Sequence, residues 1–405
     1  MMPPPILWIA VAFAALSFLE ALYSFSQGRR LARRFLDAHG ERPPFAPPVV
    51  LILPFKGVDP GLERNLGAFF EQRYSDLRVL LVTGGRDDTA VPLVERVRAA
   101  YPAVPSTLLV AGRAAGRGQK VHNLLHALDH LRDADRVLAF GDSDIRPGPR
   151  WLRDLVAPLG DPSVAVSTGF RWYLPTDGRL VSWLRSLWNA GILGLFAGDR
   201  APFAWGGALA LRRETLDAIE IRGAWRGAVS DDFALSRAVL QRGGRIRFEP
   251  RCLSFTHENC TLRQLLEWSH RQLAVTRVYE PSLWRLGFVS EVVNGAVFWG
   301  GIAVGAVQLS IIGGAVPVVA LLTLVGAIYT LRCAKSRLRV RAVIGLFPEH
   351  RPALERRLWA YTLLGPLTSL VTLLAFVRTL VGTDIEWRGM KYRMVSPTRT
   401  KVVDM

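Results

Sequence analysis

Hydrophobic residues are unevenly distributed along this 405-residue chain, and that limits what it can fold into. Half of its residues are hydrophobic, and the long apolar runs lie at the two ends. Ile6–Phe25 is about 20 residues of mostly apolar sequence, enough to cross a bilayer as a helix. Phe288–Ile311 and Val316–Leu331 are two further spans, joined by Gly313-Gly314. Leu358–Val381 is also apolar but is broken near its start by Gly365-Pro366. Between the ends the pattern is that of a water-soluble fold. The expectation is a soluble domain carried by membrane segments.

The basic residues give that arrangement a direction. Arg29, Arg30, Arg33 and Arg34 follow the first span, and Arg332, Lys335, Arg337, Arg339 and Arg341 follow the third. No charged region precedes Ile6 and no convincing cleavage site follows Phe25, so the segment reads as an anchor. The positive-inside rule predicts an integral, multi-pass membrane protein whose middle domain faces the cytoplasm. A full crossing by Leu358–Val381 would carry Arg388, Lys391, Arg393, Arg399 and Lys401 outside, so this segment is read as re-entrant or interfacial. The formal net charge is +17. There is no RNA-binding signature and no Lys/Arg tract with interleaved aromatics, so the charge is assigned to an anionic membrane surface and not to nucleic acid. Cys252, Cys260 and Cys333 suit neither a disulfide framework nor a zinc knuckle, and fit a reducing environment.

The predicted organisation is a membrane helix over 6–27, a nucleotide-binding α/β domain over 46–260, and an interfacial amphipathic segment over 261–286. A membrane region over 287–383 and a basic tail over 384–405 complete it. A proline-rich linker, Glu41–Pro48, leads into the domain. Val49–Pro54, Leu77–Thr83, Ser106–Val110, Val137–Phe140 and Ser163–Gly169 read as strands. Helical spacing over Leu62–Gln72, Thr89–Tyr101 and Val121–Leu131 alternates with them, which implies a parallel sheet with right-handed crossovers. Arg171–Phe196 has helical spacing and several aromatics, read first as core and second as a cleft for an apolar acceptor. Gly206-Gly207 feeds another strand, and Ile246–Glu249 and Leu253–Phe255 are two short ones.

Four places in this domain carry chemistry. Asp142 and Asp144 follow an apolar strand at i, i+2 spacing, where an open α/β sheet binds ligands and where hard oxygen ligands suit Mg²⁺ or Mn²⁺. An Asp-rich turn is the plain alternative. The glycine-rich, basic stretch Gly112–Lys120 precedes a helix and makes Lys120 and Asn123 candidate phosphate contacts, or else a solvated loop. Asp231-Asp232 sits near a helix start, where capping alone favours acids, and one of the two could act as a general base. His257 at a strand end is a candidate metal ligand, although a lone His is more often structural.

Taken in order, these stretches resemble the ceramide glucosyltransferase family, membrane-embedded inverting enzymes with a GT-A fold. Leu53-Pro-Phe-Lys-Gly-Val-Asp-Pro-Gly-Leu62 is similar to the family's opening K-P-L-K-G-V-D-P-x-L. Asp87-Asp88-Thr-Ala is similar to D-D-P-A, Lys120-Val-His-Asn123-Leu to K-I-N-N-L, and Asp142-Ser-Asp144-Ile-Arg to D-S-G-I-R. Ser230-Asp-Asp232-Phe resembles the E-D-Y/F step, and Ile385-Glu-Trp-Arg-Gly-Met-Lys-Tyr392 the family ending I-x-W-R-x-x-x-Y.

The resemblance implies a UDP-sugar donor, a divalent metal and a ceramide-like lipid acceptor. It places Asp88 near the uracil and ribose and Asp142 near the diphosphate and metal, and makes Asp232 the base that deprotonates the acceptor hydroxyl. Lys120, Asn123, Gly206 and Gly207 join the donor-binding set, and Asp144 and His257 the metal set. The family's Q/R-x-x-R-W reads Trp268-Ser-His-Arg271-Gln272 here, so only Arg271 agrees. Asp144 stands where the family has Gly and adds a carboxylate. Hopanoid, diacylglycerol or polyprenyl phosphate acceptors remain alternatives, as does an inactive membrane scaffold.

Overall fold

The computed structural model describes residues 4–40, 45–312 and 314–404. Residues 41–44 of the predicted linker and Gly313 of the predicted joint lie outside the described residues. Seven strands form the central sheet: β1 (Val49–Pro54), β2 (Leu77–Thr83), β3 (Ser106–Val110), β4 (Val137–Gly141), β5 (Val164–Tyr173), β6 (Ala208–Arg212) and β7 (Arg245–Thr256). Their order is β3-β2-β1-β4-β6-β5-β7. Every residue of β1, β2 and β4 is buried, as expected of strands covered on both faces. β1 runs parallel to both β2 and β4, so the winding reverses between β1 and β4. Open α/β sheets bind ligands at such a switch point, outside the carboxyl ends of the strands. The loops after β1 and β4 carry Lys56–Asp59 and Asp142–Asp144.

Three differences from the sequence reading matter for the site. Arg171–Tyr173 continues β5, paired with Ser254–Thr256 of β7, and the helix begins only at Leu180. The two short strands predicted after Gln241 are one strand, β7. It passes through Pro250 because it lies at the sheet edge, where a missing N–H costs little. The Asp231-Asp232 helix starts at Asp231 itself, because the Ser230 side chain caps it by accepting from Phe233 N.

Helices Pro4–Asp37 and Val316–Leu346, and the Pro281–Ile312 run, are long and apolar enough to cross a membrane. Leu180–Ala197 also qualifies by length and composition, but 67% of it is buried inside the protein, where Trp183 and Trp188 pack as core. The last apolar stretch divides into Leu358–Leu363 and Gly365–Val381, with Pro366 in the first turn of the second helix. Its beginning is tied to the catalytic domain: the Tyr361 hydroxyl accepts from Trp172 Nε1 at 2.9 Å and lies 2.7 Å from Ser186 Oγ.

The predicted basic tail is an antiparallel sheet of β8 (Asp384–Trp387), β9 (Met390–Ser396) and β10 (Arg399–Asp404). Along β9 Met390, Tyr392 and Met394 face inward, while Lys391 and Arg393 face out. The sheet docks on the α/β domain. Gln119 N donates to Tyr392 Oη at 3.3 Å, and Thr400 Oγ1 donates to Gly227 O at 2.7 Å.

Tyr361→Phe leaves the buried Trp172 N–H without its acceptor and should cost about 1–3 kcal/mol. The expected result is a lower thermal midpoint for the detergent-solubilised protein with its secondary structure retained by circular dichroism.

Candidate active site

Four elements deliver charged groups to the switch point. Lys120 lies in the first turn of helix Gln119–Leu128, two residues earlier than the predicted start, and projects between two carboxylates. Its Nζ is 2.8 Å from Asp142 Oδ1 and 3.0 Å from Asp231 Oδ2. Arg171, from β5, takes both oxygens of Asp144, with Nη2 to Oδ1 at 2.6 Å and Nη1 to Oδ2 at 2.9 Å. The same Nη2 reaches Asp142 Oδ2 at 3.1 Å. Asp142 thus links the two cations, and Asp231, Lys120, Asp142, Arg171 and Asp144 form one chain of alternating charge.

Burial acts against every charge in this chain, and the partners decide the outcome. Burial alone would raise the Asp142 pKa, but Lys120 and Arg171 hold it below the ordinary carboxylate value. Lys120 and Arg171 are likewise pushed down by burial and held above their usual range, chiefly by Asp142 and Asp144 respectively. Asp231 is the exception. Burial pushes it up to about 6, with the Asp232 and Asp142 charges adding to the rise and Lys120 opposing it only in part.

Glycines are required where the sheet meets this chain. A Cβ at Gly206 would stand 2.5 Å from Asp231 Oδ2, and one at Gly207 2.7 Å from Asp142 Oδ2. Gly206 N also donates to Asp232 Oδ2 at 3.2 Å. Asp232 Oδ1 accepts from Phe233 N at 2.8 Å and from Ser230 Oγ, so this carboxylate is fixed by three donors. It keeps a hydrogen-bonding face toward the cavity that it lines.

That cavity has a volume of about 730 Å³. Lys120, Asn123, Asp142, Asp144, Asp231, Asp232 and Arg271 all line it. Asn123 is held by Gln119 Nε2, which donates to its Oδ1 at 2.8 Å. Arg271, on helix Leu262–Tyr279, has no hydrogen bond or ion pair among the described residues. Burial, together with Arg171 and Arg388 nearby, lowers its pKa. A half-buried guanidinium beside other cations is a ready site for an anion. Trp268, in the altered motif, packs edge-on against Tyr173 and Trp188 with centroids 5.7 and 4.8 Å away, forming an aromatic wall.

Two predicted residues stand apart. Asp88 does not line the cavity. Its oxygens accept from Gly57 N, Thr83 Oγ1 and Ala90 N at 2.9–3.2 Å, so it ties the β1 loop to the end of β2. His257 is exposed beyond β7, with its ring 6.1 Å from that of His350, and is not brought to the Asp142–Asp144 loop. The strand end that suggested a ligand carries it away from the carboxylates. Sequence reasoning passed over Arg171, whose signal was a lone arginine in the apolar run Gly169-Phe-Arg-Trp-Tyr.

No group of three or more His, Cys, Asp or Glu suited to a metal occurs among the described residues. Asp142 and Asp144 share one guanidinium, so their oxygens converge on a point where a cation is stabilised. Two carboxylates are enough for Mg²⁺ or Mn²⁺ when phosphate oxygens and water complete the shell, so this pair fits a metal that is bound together with a substrate diphosphate.

A switch-point cavity lined by acidic and basic groups, on this sheet order, is that of a GT-A protein. The chain belongs to glycosyl transferase family 21, whose profile matches residues 9–400. It is 32% identical over 81 residues to ceramide glucosyltransferase 3 of Caenorhabditis elegans, covering 20% of this chain and 18% of that protein. It is 30% identical over 173 residues to the ceramide glucosyltransferase of Candida albicans, covering 38% of this chain and 31% of that protein. The chain therefore spans less than a third of the length of these relatives. Among solved structures it is similar to a mannosyltransferase from Pyrobaculum calidifontis in complex with GDP-Man and Mn²⁺. That likeness has a TM-score of 0.50 at 19% identity over 93% of this chain and 97% of the other, and it concerns the fold.

The raised Asp231 pKa has a stability consequence. Its folded value of about 6 exceeds the ordinary 3.8, so the folded protein holds the proton more tightly. The associated stability is fully present below about pH 4 and is lost as pH rises through about 6. Asp231→Asn should therefore raise the thermal midpoint at pH 7.5 and flatten its fall between pH 4 and 6. Melting curves of the solubilised protein across that range check it.

Proposed function

We propose that this chain transfers a hexose, with glucose the first choice, from a UDP-sugar to the hydroxyl of a ceramide-like membrane lipid, by single displacement with inversion. The observation that carries the reading is the continuity of the cavity. It runs from Lys120, Asp142 and Asp232 to polar groups among the apolar helices, including Glu20, Ser24, Glu291 and Ser369. There Ser369 Oγ donates to Glu291 Oε2 at 2.5 Å, and Lys335 Nζ donates to Ser24 Oγ at 2.6 Å. Ionisable groups in membrane helices are costly and mark substrate routes. A lipid entering between the helices keeps its chains in apolar surroundings while its polar head follows this route to the carboxylates. The names of the Caenorhabditis elegans and Candida albicans relatives favour ceramide and glucose over the other lipids and sugars.

Asp232 is the base in this scheme. Phe233 N and Ser230 Oγ hold its Oδ1, while Oδ2 accepts only from Gly206 N and can still accept from the acceptor hydroxyl, whose proton it takes as the hydroxyl oxygen attacks the anomeric carbon. Lys120, Arg171 and the unpartnered Arg271 receive the charge that builds on the departing diphosphate. A divalent cation at Asp142 and Asp144 would add to that neutralisation when it binds with the donor. Gly206 and Gly207 allow the donor to approach the backbone closely. Asp88, behind Lys56 and Gly57, shapes the nucleoside end by fixing the β1 loop.

The protein is read as multi-pass with the catalytic domain in the cytoplasm. The Leu358–Val381 segment has the catalytic domain at both of its ends, through Tyr361 and through the β8–β10 sheet, which favours an interfacial or re-entrant course over a crossing.

Asp232→Asn should lower lipid glycosylation by about 10²–10⁴-fold with donor binding retained. Mass spectrometry of lipids from membranes given ceramide and UDP-glucose, UDP-galactose or UDP-glucuronate measures it. A wild-type protein that glycosylates no lipid with any of these donors ends the reading. Chelation with EDTA should abolish transfer, and added Mn²⁺ or Mg²⁺ should restore it; full activity in EDTA would remove the metal from the scheme.

A further inference from the structure

The turn that joins β8 to β9 reaches into the active-site rim. Trp387 pairs with Met390, so the loop is Arg388-Gly389 alone, and both residues have positive φ, +52° and +76°. Two-residue turns of this kind favour Asn-Gly, because only glycine and small polar residues enter the left-handed region without strain. An arginine here is strained, and its contacts account for keeping it there. Arg388 Nη1 and Nη2 each lie 2.8 Å from an oxygen of Asp59, a bidentate fork onto the loop after β1. Arg388 Nη1 also donates to Lys56 O at 2.8 Å, and Lys56 Nζ donates back to Arg388 O at 2.8 Å. Ser143 Oγ, between the two carboxylates of the β4 loop, donates to Asp59 Oδ2 at 3.4 Å. One guanidinium thus fastens the tail to both loops of the switch point. Lys56, Trp387, Arg388, Met390 and Tyr392 all face the cavity.

We infer that the β8–β10 sheet is a wall of the nucleoside-diphosphate site, fastened by Arg388, which is a positioning residue for the donor. The inference rests on the reading of the cavity as a UDP-sugar site and adds what closes it. Arg388 holds Lys56 and the Asp142–Asp144 loop in register and brings a further positive charge beside the carboxylates that face the diphosphate. Asp59 is its counter-ion, and Asp142 and Asp144 are the other acids whose field it shares. A guanidinium fork suits this role because a lysine ammonium cannot grip both oxygens of Asp59 in a fixed plane.

The test uses the full chain in nanodiscs, with UDP plus Mn²⁺ as the probe in isothermal titration calorimetry and UDP-glucose with ceramide in turnover assays. Arg388→Ala and Asp59→Asn should each weaken UDP binding by roughly tenfold or more and raise the donor KM in proportion. The acceptor KM and the thermal midpoint should change little, and the double variant should be no weaker than Arg388→Ala alone, because both remove one link. Arg388→Lys, which keeps the charge, should recover only a small part of the affinity; it also carries the test if Arg388→Ala does not fold. A wild-type protein that binds no UDP overturns the donor-site reading itself. A wild type that binds UDP beside an Arg388→Ala or Arg388→Lys variant that binds it equally overturns this inference alone.

Discussion

The alternation of charge from Asp231 through Lys120, Asp142 and Arg171 to Asp144 is the interaction on which the rest of this structure depends. Each member is at least partly withdrawn from water, so each would be costly alone, and each is stabilised only by its neighbours. The chain draws together a helix start, the ends of β4 and β5, and the start of the Asp231 helix. Those elements are far apart in sequence, and their common meeting point is the carboxyl end of β4. The glycines at 206 and 207 follow from the same crowding, because a side chain at either would displace a carboxylate.

Helices that follow the α/β domain complete this site. Helix Leu262–Tyr279 supplies Arg271 and Trp268, and Tyr279 accepts from Val229 N at 2.9 Å beside the acidic pair. The same helix reaches the terminal sheet, with His270 Nε2 3.1 Å from Asp384 O. The cavity is therefore bounded by the α/β domain on one side, by apolar helices on another, and by the final strands at the rim.

Much of the framework was legible in advance. β1, β2 and β3 fall on the residues that their apolar runs predicted, because a buried parallel strand bounded by turn residues is a local signal. Lys120, Asp142 and Asp232, singled out from short motifs in order, line one cavity. The errors have physical causes. Arg171 was read as the start of a helical stretch, yet pairing with β7 carried the strand on through Tyr173 and placed Arg171 at the centre of the site. His257 was judged by its position at a strand end, but it lies one residue beyond β7, exposed and beside His350. The tail was read by its charge, although Met390, Tyr392 and Met394 alternate with Lys391 and Arg393 as a strand with one covered face requires.

By itself, then, the sequence determined the parallel part of the sheet, though not that β6 runs antiparallel between β4 and β5, together with the apolar helices at either end and the acids and bases at the strand ends. These depend on neighbours a few residues apart, which periodicity and motif record. Only the tertiary structure decided which charges meet, that burial raises the Asp231 pKa, that Arg271 has no ion pair among the described residues, and that the β8–β10 sheet returns to the loop after the first strand. Those outcomes depend on distance and burial between segments as remote as Asp59 and Arg388, and no local pattern carries that information.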